Sequence, residues 1–82
     1  MGKKFMVKFY SYLREKYSSH SGGEEVIIID NDGDYTIEDL KKQYDFIPGE
    51  IGCVILNKQM AEDDAIIQDG NLVEIFPFFG GG

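Results

Sequence analysis

The feature that most constrains the fold is a single helical stripe placed among five strand-like segments in a chain of only 82 residues. Ile37, Leu40 and Tyr44 are spaced i, i+3 and i+7, so they share one face of a helix. We expect Thr36 to cap this helix, with Asp39 completing a shortened capping box. A chain of this length forms one domain. Because the stripe has to be buried against a sheet, the sequence predicts an α+β domain.

The strand-like segments show either period-two alternation or many β-branched residues, both of which are typical of strands. In the first segment, Phe5, Val7 and Phe9 fall on one face. A short helix follows, and Ser11 is its expected cap. The predicted order is strand, short helix, strand, main helix and three strands, over residues 4–10, 12–17, 25–30, 37–44, 52–56, 59–61 and 72–76. We expect the first two strands to form a hairpin-like pair, and the last strand to lie inside a mixed sheet.

The charge balance narrows the classes of partner. Eight basic and 15 acidic residues give a formal net charge of −7. Proteins that bind nucleic acid or an anionic membrane place Lys and Arg against phosphates, so we expect neither partner. The charge suits docking on a more basic protein, or simply solubility. No apolar run approaches the ~20 residues of a membrane helix, and no signal peptide follows Met1–Lys4, so the cytoplasm is the expected compartment.

Few side chains offer a conventional catalytic or metal site. Cys53 is the only cysteine, which excludes an internal disulfide and a four-cysteine metal site. Its apolar strand predicts a buried, inert thiol. His20 lies in a Ser/Gly loop, where we expect it to be solvated. Asp30, Asp32 and Asp34 are interpreted as a polar turn, because Ile28 occupies the first position of the calcium-loop spacing. We expect no metal site and no bound cofactor.

The chain ends in three consecutive glycines, Gly80, Gly81 and Gly82, preceded by Phe78 and Phe79. Glycine has no Cβ, so such a tail is narrow enough to thread into an active site and present the terminal carboxylate for activation. The alternatives are a frayed terminus or an ending that is not native. We assign residues 1–77 to the folded domain and residues 78–82 to a flexible tail.

Three stretches of the chain resemble the small subunits of molybdopterin synthase. Val7–Glu15 is similar to their first strand and short helix, and Val54–Lys58 to their central strand and Asn turn. Asp69–Gly82 resembles their closing pattern of Asp-Gly-Asp, an apolar strand, Phe-Pro-Pro and Gly-Gly. That family shares the ubiquitin-like β-grasp fold with the sulfur carrier of thiamine biosynthesis. The resemblance therefore implies a β-grasp domain, with four to five strands in a mixed sheet on one main helix, a short additional helix and a flexible Gly tail.

The resemblance also implies a sulfur carrier rather than an enzyme. An ATP-dependent, ubiquitin-activating-type adenylyltransferase would adenylate the carboxylate of Gly82, and sulfur would then replace AMP to give a thiocarboxylate. The carrier would dock on a synthase large subunit, or another sulfur acceptor enzyme, and donate the sulfur to molybdopterin, the organic part of the molybdenum cofactor. Gly81 would supply a narrow neck and Gly80 would lengthen it. The carrier itself would bind no cofactor, since ATP is used by the activating partner.

The residues beside the glycines are the expected partner-binding residues. Phe76 is expected in the sheet, Pro77 at the end of the last strand, and Phe78 and Phe79 on a docking surface or folded back on the core. The family's second proline is replaced here by Phe78, which bears on the choice of synthase. Arg14 is expected to pair with a carboxylate of the partner or to form a local salt bridge.

Three other functions agree with the same sequence. The chain could carry sulfur for thiamine, tungsten-cofactor or cysteine biosynthesis. It could be a ubiquitin-like modifier that is conjugated to protein lysines through Gly82, because the activation step is shared. It could also be a β-grasp interaction module whose tail is incidental, in which case removing Gly81 and Gly82 would leave its function intact.

Overall fold

Seven strands and two helices follow one another along the part of the chain that the computed structural model describes, residues 2–18, 22–30 and 33–78. They are β1 (Lys3–Phe9), α1 (Leu13–Tyr17), β2 (Glu24–Ile29), β3 (Tyr35–Thr36), α2 (Ile37–Tyr44), β4 (Ile51–Leu56), β5 (Gln59–Ala61), β6 (Ile66–Ile67) and β7 (Leu72–Pro77). His20, Asp32 and the tail residues Phe79–Gly82 lie outside the described residues. No described helix is long and apolar enough to cross a membrane.

The main sheet has five strands in the order β2-β1-β7-β4-β5. β1 runs parallel to β7, whereas the other neighbouring pairs are antiparallel, so the sheet is mixed as predicted. Phe5 pairs with Ile27 in the expected β1–β2 pair. β7 lies at the centre of the sheet, which confirms the prediction that the last strand is internal. The fold is the predicted ubiquitin-like β-grasp.

A second sheet of two strands, β3 and β6, was not predicted. Tyr35 pairs with Ile67 and Thr36 with Ile66. Each strand is two residues long. A segment this short shows no period-two pattern, so its pairing depends on where the rest of the fold places it.

The core lies between α2 and one face of the main sheet. Ile37 and Leu40 of α2 are buried, as are the alternate residues Phe5, Val7 and Phe9 of β1. The other members of this buried cluster are Leu13, Val54, Ile67, Val73 and Ile75. Each such side chain contributes about 1.5–3 kcal/mol when it is removed from water. The predicted apolar stripe and the predicted strand alternation therefore meet across one core.

The two helices begin differently. The Thr36 hydroxyl accepts a hydrogen bond from the Asp39 amide at 3.2 Å, and the Asp39 carboxylate accepts one from the Thr36 amide at 3.0 Å, so the predicted capping box is present. The prediction for α1 was wrong, because its cap position is Tyr12 and no side-chain cap bond is formed. Ser11, two residues after β1, has a φ of 59°, a left-handed conformation, whereas a cap residue has an extended one.

Two smaller predictions concern β4. Asn57 and Lys58, which join β4 to β5, have φ values of 49° and 73°, as a tight hairpin turn requires. Cys53 is half-buried rather than fully buried. It pairs with Phe76 of β7, so its side chain lies on the sheet face that points away from the core.

Candidate functional site

The chain reaches its C-terminal tail through the most constrained strand of the sheet. β7 is paired on one side with β1, where Phe9 is opposite Ile75, and on the other with β4, where Ile51 is opposite Pro77. Pairing on both sides fixes the direction of β7 as far as Ile75, and pairing with β4 alone continues it to Pro77. Pro77, which is buried and has no N–H to donate, ends the strand as predicted.

One further hydrogen bond holds the chain after Pro77. The amide of Phe78 donates to the carbonyl oxygen of Glu50 at 2.8 Å. The Phe78 side chain is 59% exposed, so it does not fold back onto the core. The predicted site residues Phe79, Gly80, Gly81 and Gly82 follow, and they lie outside the described residues. The described part of the site is therefore the base from which the tail leaves.

A glycine permits this exit, and sequence reasoning missed it. A Cβ on Gly52 would lie 2.6 Å from the carbonyl oxygen of Pro77 and 2.9 Å from the Cα of Phe78. The β4–β7 register also shifts between Ile51 and Cys53. A glycine inside a strand pattern is typical of a bulge or of close backbone approach, and that pattern could have identified Gly52.

Phe76 lies beside the exit on the sheet face that points away from the core. Its ring stacks on Tyr10, with centroids 4.3 Å apart and planes inclined by 8°. The Tyr10 hydroxyl donates a hydrogen bond to the Glu74 carboxylate. This hydrogen bond, followed by burial, raises the pKa of Tyr10 to about 12. The Lys8 ammonium lies 5.3 Å from the centroid of the Tyr10 ring. Phe76 is thus in the sheet as predicted, paired with Cys53 of β4 and covered by the ring of Tyr10, the residue that follows β1.

A second group of polar side chains lies at Glu50, on the other side of the exit. Lys16 forms an ion pair with the Glu50 carboxylate at 2.7 Å, and the Tyr17 hydroxyl donates a hydrogen bond to its other oxygen. The Glu50 side chain is only 8% exposed. The hydrogen bonds from Lys16 and Tyr17 lower the pKa of Glu50. Burial, followed by the bond to Glu50, raises the pKa of Tyr17.

Arg14 was predicted to pair either with a carboxylate of a partner or in a local salt bridge. It is exposed on α1, and its Nε donates to the Ser11 carbonyl at 3.3 Å. The side-chain stem packs over Gly23, where an added Cβ would lie 2.6 Å from its Cγ. Among residues 2–18, 22–30 and 33–78, Arg14 has no carboxylate partner, so the local salt bridge is not formed there. Pairing with a carboxylate of a partner stays a prediction.

The outer face of the sheet carries exposed apolar side chains that sequence reasoning did not single out. Val26 and Ile28 of β2 are 54% and 70% exposed, and Met60 of β5 is 76% exposed. In β2 they alternate with Ile27 and Ile29, which pack against the core. β2 and β5 are the two edge strands of the sheet, so these exposed side chains lie at opposite edges of this face. The continuous run of β-branched residues hid this alternation in the sequence.

A family model and several solved structures match the chain. The model of the ThiS family matches residues 7–82. The fold is similar to that of the protein described as molybdopterin converting factor, subunit 1, from Pyrococcus furiosus, with a TM-score of 0.68, 21% identity and coverage of 92% of this chain and 97% of that one. It is also similar to the small archaeal modifier protein 1 of Haloferax volcanii, with a TM-score of 0.66, 19% identity and coverage of 92% and 97%.

A third similar structure is the small archaeal modifier protein 1 of Methanosarcina acetivorans, with a TM-score of 0.67, 16% identity and coverage of 100% of this chain and 99% of that one. No curated protein matches the sequence. At these identities the solved structures establish a shared fold, and the family model establishes descent. The predicted resemblance to the β-grasp sulfur carriers is thus confirmed at the level of the family.

Proposed function

The chain belongs to the ThiS family, and from this premise we propose that it is a sulfur carrier whose terminal carboxylate, on Gly82, is adenylated and then converted to a thiocarboxylate. The observation that supports the proposal most is the exit of the tail from the central strand of the sheet, past Pro77, into an exposed position at Phe78. A rigid base followed by narrow residues is the geometry that delivery of a chain end requires.

The proposed division of chemistry leaves the reaction to the partner enzymes. A ubiquitin-activating-type adenylyltransferase uses ATP to give the carboxylate a good leaving group, and a sulfur nucleophile displaces AMP. The activated carbonyl has to be kept from water, which a deep site reached by a thin tail achieves. The carrier supplies the carboxylate and its placement. It binds no cofactor, works in the cytoplasm, and is a cosubstrate that can also serve as the small subunit of a synthase.

We assign the contact with these enzymes to the residues around the exit. The exposed Phe78 and the half-buried Phe76 provide apolar contacts next to the glycines, and the buried Pro77 supports them from below. The exposed Arg14 guanidinium, whose Nε donates to the Ser11 carbonyl, is assigned to a carboxylate of the partner. The net charge of −7 favours a more basic enzyme surface. Phe79, Gly80 and Gly81 complete the proposed contact on the tail.

Molybdopterin biosynthesis is the pathway that we favour. The similarity to the Pyrococcus furiosus protein supports it, together with the closing sequence from Asp69 to Gly82. Phe78 stands in place of the family's second proline, and we expect this replacement to affect which synthase the carrier binds. Thiamine, tungsten-cofactor and cysteine biosynthesis are the alternative destinations of the sulfur.

The carrier proposal is tested by intact-mass spectrometry. The full chain is incubated with a ThiS-family activating enzyme, ATP and a sulfur source, and we expect a mass gain equal to the exchange of one oxygen for sulfur. A chain that lacks Gly81 and Gly82 is the control, and its mass should not change. If the full chain gains no mass while the enzyme loads its own carrier, the proposal is wrong. If the truncated chain performs the function in cells, the tail is incidental.

A second candidate function is protein modification through Gly82. The similarity to two archaeal small modifier proteins favours it, because their folds match as well as that of the molybdopterin protein. It predicts isopeptide adducts between the terminal glycine and protein lysines in cells that express a tagged chain. Cells that express the chain without Gly81 and Gly82 should contain no such adducts. Absence of adducts of the full chain from cells in which its carboxylate is activated would count against the modifier function.

A further inference from the structure

The backbone hydrogen bond that holds Phe78, the first residue of the tail, is accepted by Glu50, whose side chain is itself anchored. The carbonyl oxygen of Glu50 accepts the amide of Phe78, and this contact is the one that continues the β4–β7 pairing beyond Pro77. The segment that carries this carbonyl is a surface turn, which the Glu50 amide closes by donating to the Ile47 carbonyl oxygen at 3.0 Å. Ile47, Pro48 and Gly49 are exposed, and Gly49 has a φ of 84°.

The Glu50 side chain joins this segment to α1. It accepts hydrogen bonds from Lys16 and Tyr17, residues more than 30 positions away in sequence, and it is almost fully shielded from water. Tyr17 in turn packs edge-on against Phe46, with ring centroids 4.7 Å apart. The Glu50 backbone therefore holds the start of the tail, while the Glu50 side chain is held by α1.

We propose that Glu50 is a positioning residue that fixes where the C-terminal tail leaves the sheet, and that Lys16 and Tyr17 hold it in place for this purpose. Removing these contacts leaves the Phe78 amide with its acceptor but frees the acceptor to move. The tail then starts from a wider range of positions, and fewer of them lead into an active site. The consequence for sulfur loading rests on the proposed function, whereas the local effect at Phe78 does not.

The first measurement is hydrogen exchange of the Phe78 amide in the full chain, followed by NMR. Tyr17→Phe and Lys16→Met each remove one contact of Glu50, and we expect each to speed exchange of this amide about three- to tenfold, the effect of weakening one hydrogen bond. Amides in the middle of β7 should be unchanged. Tyr35→Phe and Lys41→Met are matched controls, since they remove a hydroxyl bonded to Gln43 and an ion pair to Asp63 at the same 2.7 Å.

A series of substitutions at Glu50 distinguishes a local effect on the tail from a general effect on stability. Glu50→Gln keeps an oxygen that accepts the Tyr17 hydroxyl but loses the ion pair with Lys16, so its Phe78 exchange should match that of Lys16→Met, whereas Glu50→Ala should show the largest effect. If Glu50→Ala unfolds, Tyr17→Phe and Lys16→Met carry the test. Equal exchange at Phe78 in these variants and the matched controls would overturn the inference, as would faster exchange throughout β7.

The second measurement is the rate of sulfur loading for the same variants. We expect Tyr17→Phe and Lys16→Met to load more slowly than Tyr35→Phe and Lys41→Met when their stabilities are equal. Equal loading rates would overturn the role in delivery, even if exchange at Phe78 is faster. If the native chain is not loaded at all, the proposed function fails, whereas the exchange result still decides whether Glu50 positions the tail.

Discussion

Where the tail leaves the sheet, the roles of single residues depend on contacts with residues that are distant in sequence. Gly52 faces the backbone of Pro77 and Phe78, and Glu50 joins Lys16 and Tyr17 to the amide of Phe78. None of these contacts follows a local spacing rule. This is why Pro77 could be predicted from its own chemistry, whereas Glu50 could not be assigned a role without the fold. Gly52 could have been identified as a site of close approach from its strand pattern, but the backbone that it faces could not.

Gly52→Ala provides a prediction at this scale. Its Cβ would lie under 3 Å from two backbone atoms, which cannot rotate away as a flexible side chain would. We expect a decrease of about 1–3 kcal/mol in the free energy of unfolding, as for other overpacked sites. Urea denaturation measures it. Gly22→Ala is the control, since nothing lies within 4 Å of its added Cβ. Equal stability of the two variants would contradict the close approach of β4 to the exit.

Elements were predictable where their determinants are local. Thr36 and Asp39 are three residues apart and form the capping box of α2, and the alternation of Phe5, Val7 and Phe9 in β1 matches their burial. The failures have equally physical causes. Ser11 has the right side chain for a cap but the wrong backbone conformation. β3 and β6 are too short to carry a pattern, and their pairing is decided by the packing of the longer elements.

The capping box of α2 leads to a stability prediction. Thr36→Ala removes the hydroxyl that accepts the Asp39 amide, and we expect it to lower the free energy of unfolding by about 1 kcal/mol. Thr36→Ser keeps the hydroxyl and is the control. Denaturation at neutral pH compares the two. A Thr36→Ala variant as stable as Thr36→Ser would show that the hydroxyl does not stabilise the helix.

The same box predicts a pH dependence. Hydrogen bonds from the Thr36 amide, and next from its hydroxyl, lower the pKa of Asp39 in the folded chain. A carboxyl whose pKa is lower in the folded state stabilises the fold above its unfolded pKa, and this contribution is lost as the pH falls through the folded pKa. The stability difference between the native chain and Asp39→Asn should therefore shrink in acid. If this difference in the free energy of unfolding stays constant with pH, the lowered pKa of Asp39 is contradicted.

At the scale of the whole molecule, one sheet separates two roles. Its inner face holds the core against α2, and its outer face carries Val26, Ile28 and Met60 in exposed positions, with the tail leaving from its central strand. The sequence predicted the mixed sheet and the position of β7, because alternation and segment order constrain both. It did not predict these three exposed apolar side chains, since exposure depends on what the tertiary structure leaves uncovered.

The central claim is that Gly82 carries the sulfur, and the most direct test is to locate the added sulfur in the chain. After loading by the activating enzyme, the protein is cleaved and its peptides are analysed by tandem mass spectrometry. Cys53 is the only cysteine and the one side chain that could hold a persulfide, so Cys53→Ser is the matched control. We expect an oxygen-for-sulfur exchange on the peptide that ends in Gly82, in both the native chain and Cys53→Ser. Sulfur added at Cys53, with an unchanged C-terminal peptide, would contradict it.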